Sequence, residues 1–263
     1  MKYITKENKD GKVVKLKNYK RRAKINKLKR KLLLITFLLI ILSIILCFTP
    51  ILQIRKINCT GNNLISTEDI VAASKIKLGD NMIRTSKSDA IDNINNIAYI
   101  KSVSITKKFP STIEIQVVEC KVNSYIETNK KYIYLDDEGK VLEISSNKPE
   151  GVPLLKTGKI KSHNVNEVIE FENQNQISVY KTLISYLKNS MFANTLTNIN
   201  ISSISKCSFT INDQFTVELG DTNNLDYKIN LATEVYNSPE TINKGTIDVS
   251  NPNGKAYLKQ DQE

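Results

Sequence analysis

The chain has no tryptophan, a single histidine (His163), four cysteines and nine glycines in 263 residues. Each scarcity excludes something. One histidine leaves no two-histidine metal set and no mechanism that needs two imidazoles. Cys47, Cys59, Cys120 and Cys207 form no C-x-x-C pair and have no metal-ligand spacing. Neither a zinc module nor a dense disulfide framework is encoded, and whether any two cysteines pair stays open. Buried, inert thiols are the default reading. No glycine-rich phosphate loop occurs. No cofactor, metal ligand or catalytic residue is expected on these grounds.

What is present is unevenly spread. Residues 1–31 hold 14 Lys/Arg against Glu7 and Asp10, while residues 32–263 hold 24 Lys/Arg against 25 Asp/Glu. The formal charge of +11 therefore belongs to the first thirty residues. The bulk of the chain has no excess cation to displace counterions, which argues against a nucleic-acid partner. Next comes Leu32 to Leu52, LLLITFLLIILSIILCFTPIL, 21 residues without a charge. At 1.5 Å per residue this reaches about 31 Å, the thickness of a hydrocarbon core. It is too long for a signal-peptide core, and Cys47-Phe48-Thr49-Pro50 is not a small-x-small cleavage site. The expectation is one uncleaved membrane span. The positive-inside rule then places residues 1–31 in the cytoplasm as a basic tail, and the rest outside.

Residues 54–128 read as a compact βααββ unit. Ile54–Cys59 is a short strand and Thr60-Gly61-Asn62-Asn63 a turn cluster. Ser66 caps a helix with Glu68 and Asp69 in its first turn, and Leu78-Gly79 stops it. Ser86 or Ser88 opens a second helix through Ile91, Ile94 and Ile97. Tyr99–Lys107 and the alternating Ile113, Ile115 and Val117 make a hairpin about Phe109-Pro110-Ser111-Thr112. Further on, Tyr132–Leu142 is a hairpin with an Asp-Asp-Glu-Gly turn. Ile177, Tyr180, Leu183, Ile184 and Leu187 mark an amphipathic helix. Phe209–Ile211 and Phe215–Gly220 form a strand-turn-strand, a helix runs from about Leu225 to Tyr236, and Gly245–Ser250 is a closing strand. Pro252–Glu263 is polar and short, expected to fray.

The run IRKINCTGNNLISTEDIVAASKIKLGDNMI…INNIAYIKSVSITKKFPSTIEIQVVE resembles a POTRA domain of the FtsQ/DivIB cell-division type. The features that match are Gly61-Asn62, Ser66 with Glu68, Asp69 and Ile70, Leu78-Gly79-Asp80-Asn81, and the Phe109–Ile115 hairpin ending in Glu119. Cys120-Lys121-Val122 departs from the family in having no proline after that glutamate. Residues 122–250 continue the resemblance, through the Asp/Glu-Gly hairpin, Val152-Pro153-Leu154-Leu155 and the closing Ile247-Asp248. The fold class expected is α+β: a basic cytoplasmic tail (1–31), a transmembrane helix (32–52), a POTRA domain (53–121), a mixed-sheet β domain with flanking helices (122–250) and a short polar tail (251–263).

The resemblance implies a non-enzymatic divisome scaffold. In the family, the end of the β domain binds the small bitopic division proteins FtsB/DivIC and FtsL, and the complex regulates the septal peptidoglycan synthase. The chain would sit in the plasma membrane, enriched at the septum. Carried over residue by residue, Ile247, Asp248, Val249, Ser250 and Asn251 would form a strand edge open to a partner, with Tyr257 as an aromatic anchor and Lys228 on the helix beside it. The other readings of the same residues are plain. Ile247 and Val249 would face this domain's own core, Asp248 would be a local turn acid, and Lys228 a solvated helix lysine. Two alternative functions share the outline. One is a POTRA-bearing envelope or secretion accessory protein. The other is a sortase-like transpeptidase, whose His, Cys, Arg order is met by His163 and Cys207 but by no arginine, since Arg21, Arg22, Arg30, Arg55 and Arg84 all come earlier.

Overall fold

The structure, a computed structural model, describes residues 5–7, 13–15, 19–48, 50–238, 244–251 and 256–260, with side chains from 26 to 42 and from 50 onward. Cα packing divides the chain into two compact units. One comprises residues 1–58, 76–86 and 106–113, and the other residues 59–75, 87–105 and 114–263.

At the start, β1 (Thr5–Glu7) pairs antiparallel with β2 (Val13–Lys15). Helix α1 (Tyr19–Phe48) runs for 30 residues and takes in both the end of the cationic tail and most of the apolar run. The run is not one helix to its end: Pro50–Leu52 is a separate 3-10 turn, because proline offers no N–H to continue the α-helical ladder. Leu32, Leu33, Leu34, Phe37 and Leu38 are each more than half exposed. Among the described residues no helix is long and apolar enough to cross a membrane. The side chains of residues 43–48, in the second half of the expected span, lie outside those described.

The expected βααββ order is present: β3 (Lys56–Thr60), α2 (Thr67–Ser74), α3 (Lys87–Asn95), β4 (Ile100–Lys108) and β5 (Thr112–Glu119), with sheet order β3-β5-β4. Ser66 caps α2 by accepting the Asp69 N–H at 3.1 Å. The helix stops earlier than expected. Lys75, not Gly79, takes the left-handed conformation (φ 58°) that ends it. Gly61 is forced by backbone geometry: its φ is +85°, and a Cβ there would run into the Val117 carbonyl. The Glu119 carboxylate then accepts the N–H groups of Leu64 (2.8 Å) and Ile65 (2.9 Å), fixing the loop before α2 to the end of β5.

The rest of the second unit is a nine-stranded mixed sheet in the order β16-β15-β14-β13-β12-β9-β6-β7-β8. Its members are β6 (Ser124–Thr128), β7 (Lys131–Leu135), β8 (Val141–Ser145), β9 (Leu154–Lys156), β12 (Leu196–Asn200), β13 (Cys207–Ile211), β14 (Phe215–Gly220), β15 (Gly245–Asp248) and β16 (Tyr257–Gln260). A small ribbon of β10 (Ile160–Ser162) and β11 (Glu170–Phe171) stands apart. Helix α4 (Asn175–Leu187) connects the parallel pair β9 and β12, and α5 (Leu225–Tyr236) connects the parallel pair β14 and β15. Such crossovers require a helix over one sheet face. That face holds one core, including Leu155, Leu183, Leu187, Ile199, Phe209, Val217, Ile229 and Ile247. Phe192 packs at 5.4 Å from Phe209 and 5.7 Å from Tyr236, whose ring also meets Phe215.

A buried hydroxyl pins α4 to the hairpin of β7 and β8. Tyr180 donates to the Asp136 carbonyl at 2.7 Å, which leaves its oxygen to accept from Ser124 at 2.9 Å. Ser124 and Tyr180 are almost fully buried. Phenylalanine at 180 keeps the ring, strands the buried Ser124 hydroxyl and leaves the Asp136 carbonyl with the Gly139 N–H alone, so Tyr180→Phe is expected to cost about 1–3 kcal/mol. The measurement is the urea unfolding midpoint of the full chain in micelles. An unchanged midpoint counts against this bond as the pin.

Candidate functional site

The expected edge strand is not at the edge. β15 pairs in parallel with β14 on one side (Val217↔Ile247) and antiparallel with β16 on the other (Ile247↔Leu258, Asp248↔Tyr257). Part of the segment expected to fray, residues 257–260, is therefore the outermost strand; 252–255 and 261–263 lie outside the described residues. The physical reason is the one that made β15 attractive as an edge. An unpaired row of N–H and C=O groups takes up whatever strand is close, and here the same chain supplies it. Leu258 and Ala256 also pack on the core, so this short strand has an apolar attachment besides its ladder.

Pleat parity sorts the expected partner residues. Ile247 and Val249 are buried in the core at 0% and 1% exposure, so the core-facing reading of these two is the one observed. Thr246 and Asp248 alternate with them and are half-buried. Asp248 is a turn acid: its Oδ1 accepts the Ser250 hydroxyl at 2.6 Å and the Ser250 N–H at 3.0 Å. The Ser250 hydroxyl, opposed by burial and helped by the N–H and the nearby Lys259, holds the Asp248 carboxyl below the usual range. Lys259 stands 3.8 Å away, a weak cross-strand pair. Tyr257, at the start of β16, is half exposed.

Lys228 is not solvated. Its side chain is 6% exposed, and Nζ donates to the Asp221 carboxylate at 2.8 Å and the Asp221 carbonyl at 2.9 Å. The turn of α5 explains this. Leu225, Lys228, Ile229 and Ala232 share the buried face, so the lysine stem lies on the core while its head reaches back to the loop before the helix. That loop enters the helix through Asn224 in the left-handed conformation. Lys228, Ser250 and Asn251, all expected at the partner site, line one cavity of about 450 Å³ with Asp221, Asn224 and Tyr227. The cavity opens beside the end of β15, so the structure does bring three of the seven expected residues together.

The described thiols are buried or half-buried. Cys207 is buried, its thiol points at the Ser203 and Ile204 carbonyls, and burial raises its pKa, the opposite of an activated nucleophile. His163 is exposed. Cys59, Cys120 and Cys207 are free thiols, and burial pushes Cys120 up to about 11. Among the described residues no His/Cys/Asp/Glu cluster fit to hold a metal is present. One polar centre had no sequence signal. Asp137, in the turn between β7 and β8, accepts from Lys188 at 2.7 Å and from Lys101 of β4 at 2.9 Å. Burial pushes this carboxyl up, but the two lysines outweigh it and hold it below the usual range. Tyr99 donates to Glu143 at 2.9 Å, and Lys140 to the Ile100 carbonyl at 3.0 Å, binding the β4 region to the large sheet.

The chain thus joins a βααββ module to a mixed sheet with two crossover helices. Residues 52–119 match the family model of the FtsQ-type POTRA domain, and residues 124–248 the model described as FtsQ/DivIB, C-terminal related. The cell division protein DivIB of Clostridium acetobutylicum is 32% identical over 219 residues, 80% of this chain and 84% of that protein. DivIB of Clostridium botulinum (strain Loch Maree) is 27% identical over 234 residues, 86% and 90% respectively. The chain belongs to the FtsQ/DivIB family of cell-division proteins. The major extracytoplasmic domain of DivIB from Geobacillus stearothermophilus aligns with 46% of this chain and 89% of its own at 14% identity, with a TM-score of 0.28.

The Lys228–Asp221 pair has a pH signature. The Lys228 ammonium, opposed by burial and helped by the Asn223 N–H and amide, depresses the Asp221 carboxyl. A depressed carboxyl stabilises the fold above its unfolded pKa, and that stabilisation is lost as pH falls through the folded value. In Lys228→Met the Asp221 carboxyl is expected to titrate higher, back toward its ordinary value. The stability gap between wild type and variant should close on acidification. Carboxyl carbon NMR titration and unfolding midpoints at pH 7 and below check both, and an unmoved Asp221 titration refutes the pairing.

Proposed function

We propose that this chain is a non-enzymatic division scaffold, anchored by one membrane pass through the apolar part of α1 with its N-terminus in the cytoplasm and its C-terminus outside, and enriched at the septum. Its outer part captures FtsB/DivIC-like and FtsL-like bitopic proteins, and through them bears on the septal peptidoglycan synthase. Family membership carries the divisional part of this reading. The membrane pass is supported by the uncharged run on α1 and the 14 cations before it. The lack of enzymatic activity is supported by the buried Cys207 thiol.

The capture site in this reading is the outer flank of β15, and the incoming strand replaces β16. Only four residue pairs hold β16, three of its four residues are exposed, and its cross-strand ion pair is weak. Main-chain hydrogen bonds along Gly245–Asp248 would give affinity, and the cavity by Lys228, Ser250 and Asn251 would take a side chain of the partner. Ile247 and Val249 shape the strand from within the core, so charging or deleting them would unfold it instead of testing it.

Two variants loosen β16 alone. One is truncation after Asn251. The other is Leu258→Ser, which removes the apolar attachment of β16 while Gly245–Asp248 and its pairing to β14 are unchanged. Both are expected to tighten capture of a DivIC-like ectodomain strand by the full chain in micelles, by about tenfold (1.4 kcal/mol). Titration calorimetry reads the affinity, and circular dichroism the fold. Unchanged affinity in both folded variants overturns the exchange site. A functional N-terminal fluorescent fusion spread evenly around the cell, with no mid-cell band, overturns the septal assignment.

A further inference from the structure

The first compact unit concentrates positive charge and bare apolar side chains immediately after α1. Its segments 50–58, 76–86 and 106–113 hold Arg55, Lys56, Lys77, Arg84, Lys107 and Lys108 against one acid, Asp80, a net of +5. The remaining residues after 49 hold 18 Lys/Arg against 24 Asp/Glu, a net of −6. The positive-inside rule explains the cations before α1, not these. Five of the six are exposed; Lys107 reaches the Thr85 carbonyl at 2.6 Å. The Asp80 carboxylate is turned onto the Lys77 N–H at 2.8 Å.

Apolar residues stand among these cations. Ile51 (54%), Leu78 (65%), Ile83 (49%) and Phe109 (62%) are exposed in the same unit. The three segments are stitched together through their backbones. Met82 donates to Leu52 at 2.8 Å, Ile54 to Asp80 at 2.8 Å, Gly79 to Ile54 at 2.8 Å, and Arg55 to Ser111 at 2.8 Å. The stitching begins where the helix ends. Phe48 to Leu52 is four residues, at most about 14 Å of chain. The Met82 backbone, bonded to Leu52, cannot leave the neighbourhood of the helix end whichever way the unit is turned.

We propose that this face docks on the membrane that α1 enters: Phe109, Leu78, Ile83 and Ile51 enter the interfacial layer, while Arg55, Lys56, Lys77, Arg84 and Lys108 hold anionic lipid headgroups. The inference rests on the membrane-pass reading above. Charge complementarity selects the occupant: a cationic face with apolar side chains is the composition of an interfacial anchor, and each cation near an anionic surface strengthens attachment about fivefold. Docking holds this unit against the bilayer surface beside the end of α1.

The absence of tryptophan makes the test direct. Phe109→Trp, in the full chain reconstituted into bilayers, is the sole tryptophan. In phosphatidylglycerol/phosphatidylcholine bilayers its emission should shift to the blue and be quenched by brominated lipid. Pure phosphatidylcholine, or 1 M salt, should abolish most of the quenching. Lys77→Glu, Arg84→Glu and Lys108→Glu together should do the same with circular dichroism unchanged. An unquenched Phe109→Trp in the anionic bilayer overturns the docking. Quenching that ignores lipid charge, salt and charge reversal overturns the headgroup assignment. A chain that washes out of the bilayer in alkaline carbonate overturns the membrane pass itself, a separate result.

Discussion

Pleat parity at β15 governs what this end of the molecule can offer. With Val217 and Ile247 paired, Ile247 and Val249 are committed to the core that α5 covers, and Thr246 and Asp248 to the opposite face. A slip of one residue would bury Asp248 and expose two branched apolar side chains. Everything near the strand follows from this commitment. Asp248 becomes a turn acid for Ser250, Gly220 must stay small beside Ser250, and the buried Lys228 finds its partner in the loop that feeds α5. What this end offers in the proposed capture site is therefore backbone and cavity, not the two aliphatic side chains that look most like anchors in the sequence.

The parts of the fold legible in the sequence were those whose signal is local. The amphipathic spacing of Tyr180, Leu183, Ile184 and Leu187 appears as α4, and Leu225–Tyr236 is α5 with the expected bounds. The hairpins of β4 with β5 and of β13 with β14 are where alternation put them. Strands whose identity depends on distant neighbours were not legible. β12, Leu-Thr-Asn-Ile-Asn, has two apolar residues and is a strand because β9 and β13 flank it. β6 is closed to β7 by Asn129 and Lys130, both at positive φ, a tight turn without the glycine that usually announces one. The tail strand β16 carries one aliphatic side chain among polar ones, and composition alone reads it as loop.

The candidate site shows the same division between local and distant information. Lys228 sits three residues after Leu225 and one before Ile229, so helical spacing already placed it on the buried face; its charge obscured that. Its partner Asp221 lies in a loop whose course no spacing rule gives. Asp137 is the clearer case. A carboxylate in a turn reads as solvated, yet it gathers Lys101 and Lys188 from β4 and the end of α4, 36 and 51 residues away in sequence. Long-range ion pairs of this kind are properties of the tertiary fold.

Strand order in the large sheet also has a consequence for how the sheet opens. β16 is held along one flank only, by four residue pairs to β15, while β15 is held along both. Elements with few contacts and exposed backbone open locally at a fraction of the global free energy. The amide hydrogens of β16 therefore exchange with solvent well before those of β15 and β14, and the sheet carries a soft rim on a protected interior.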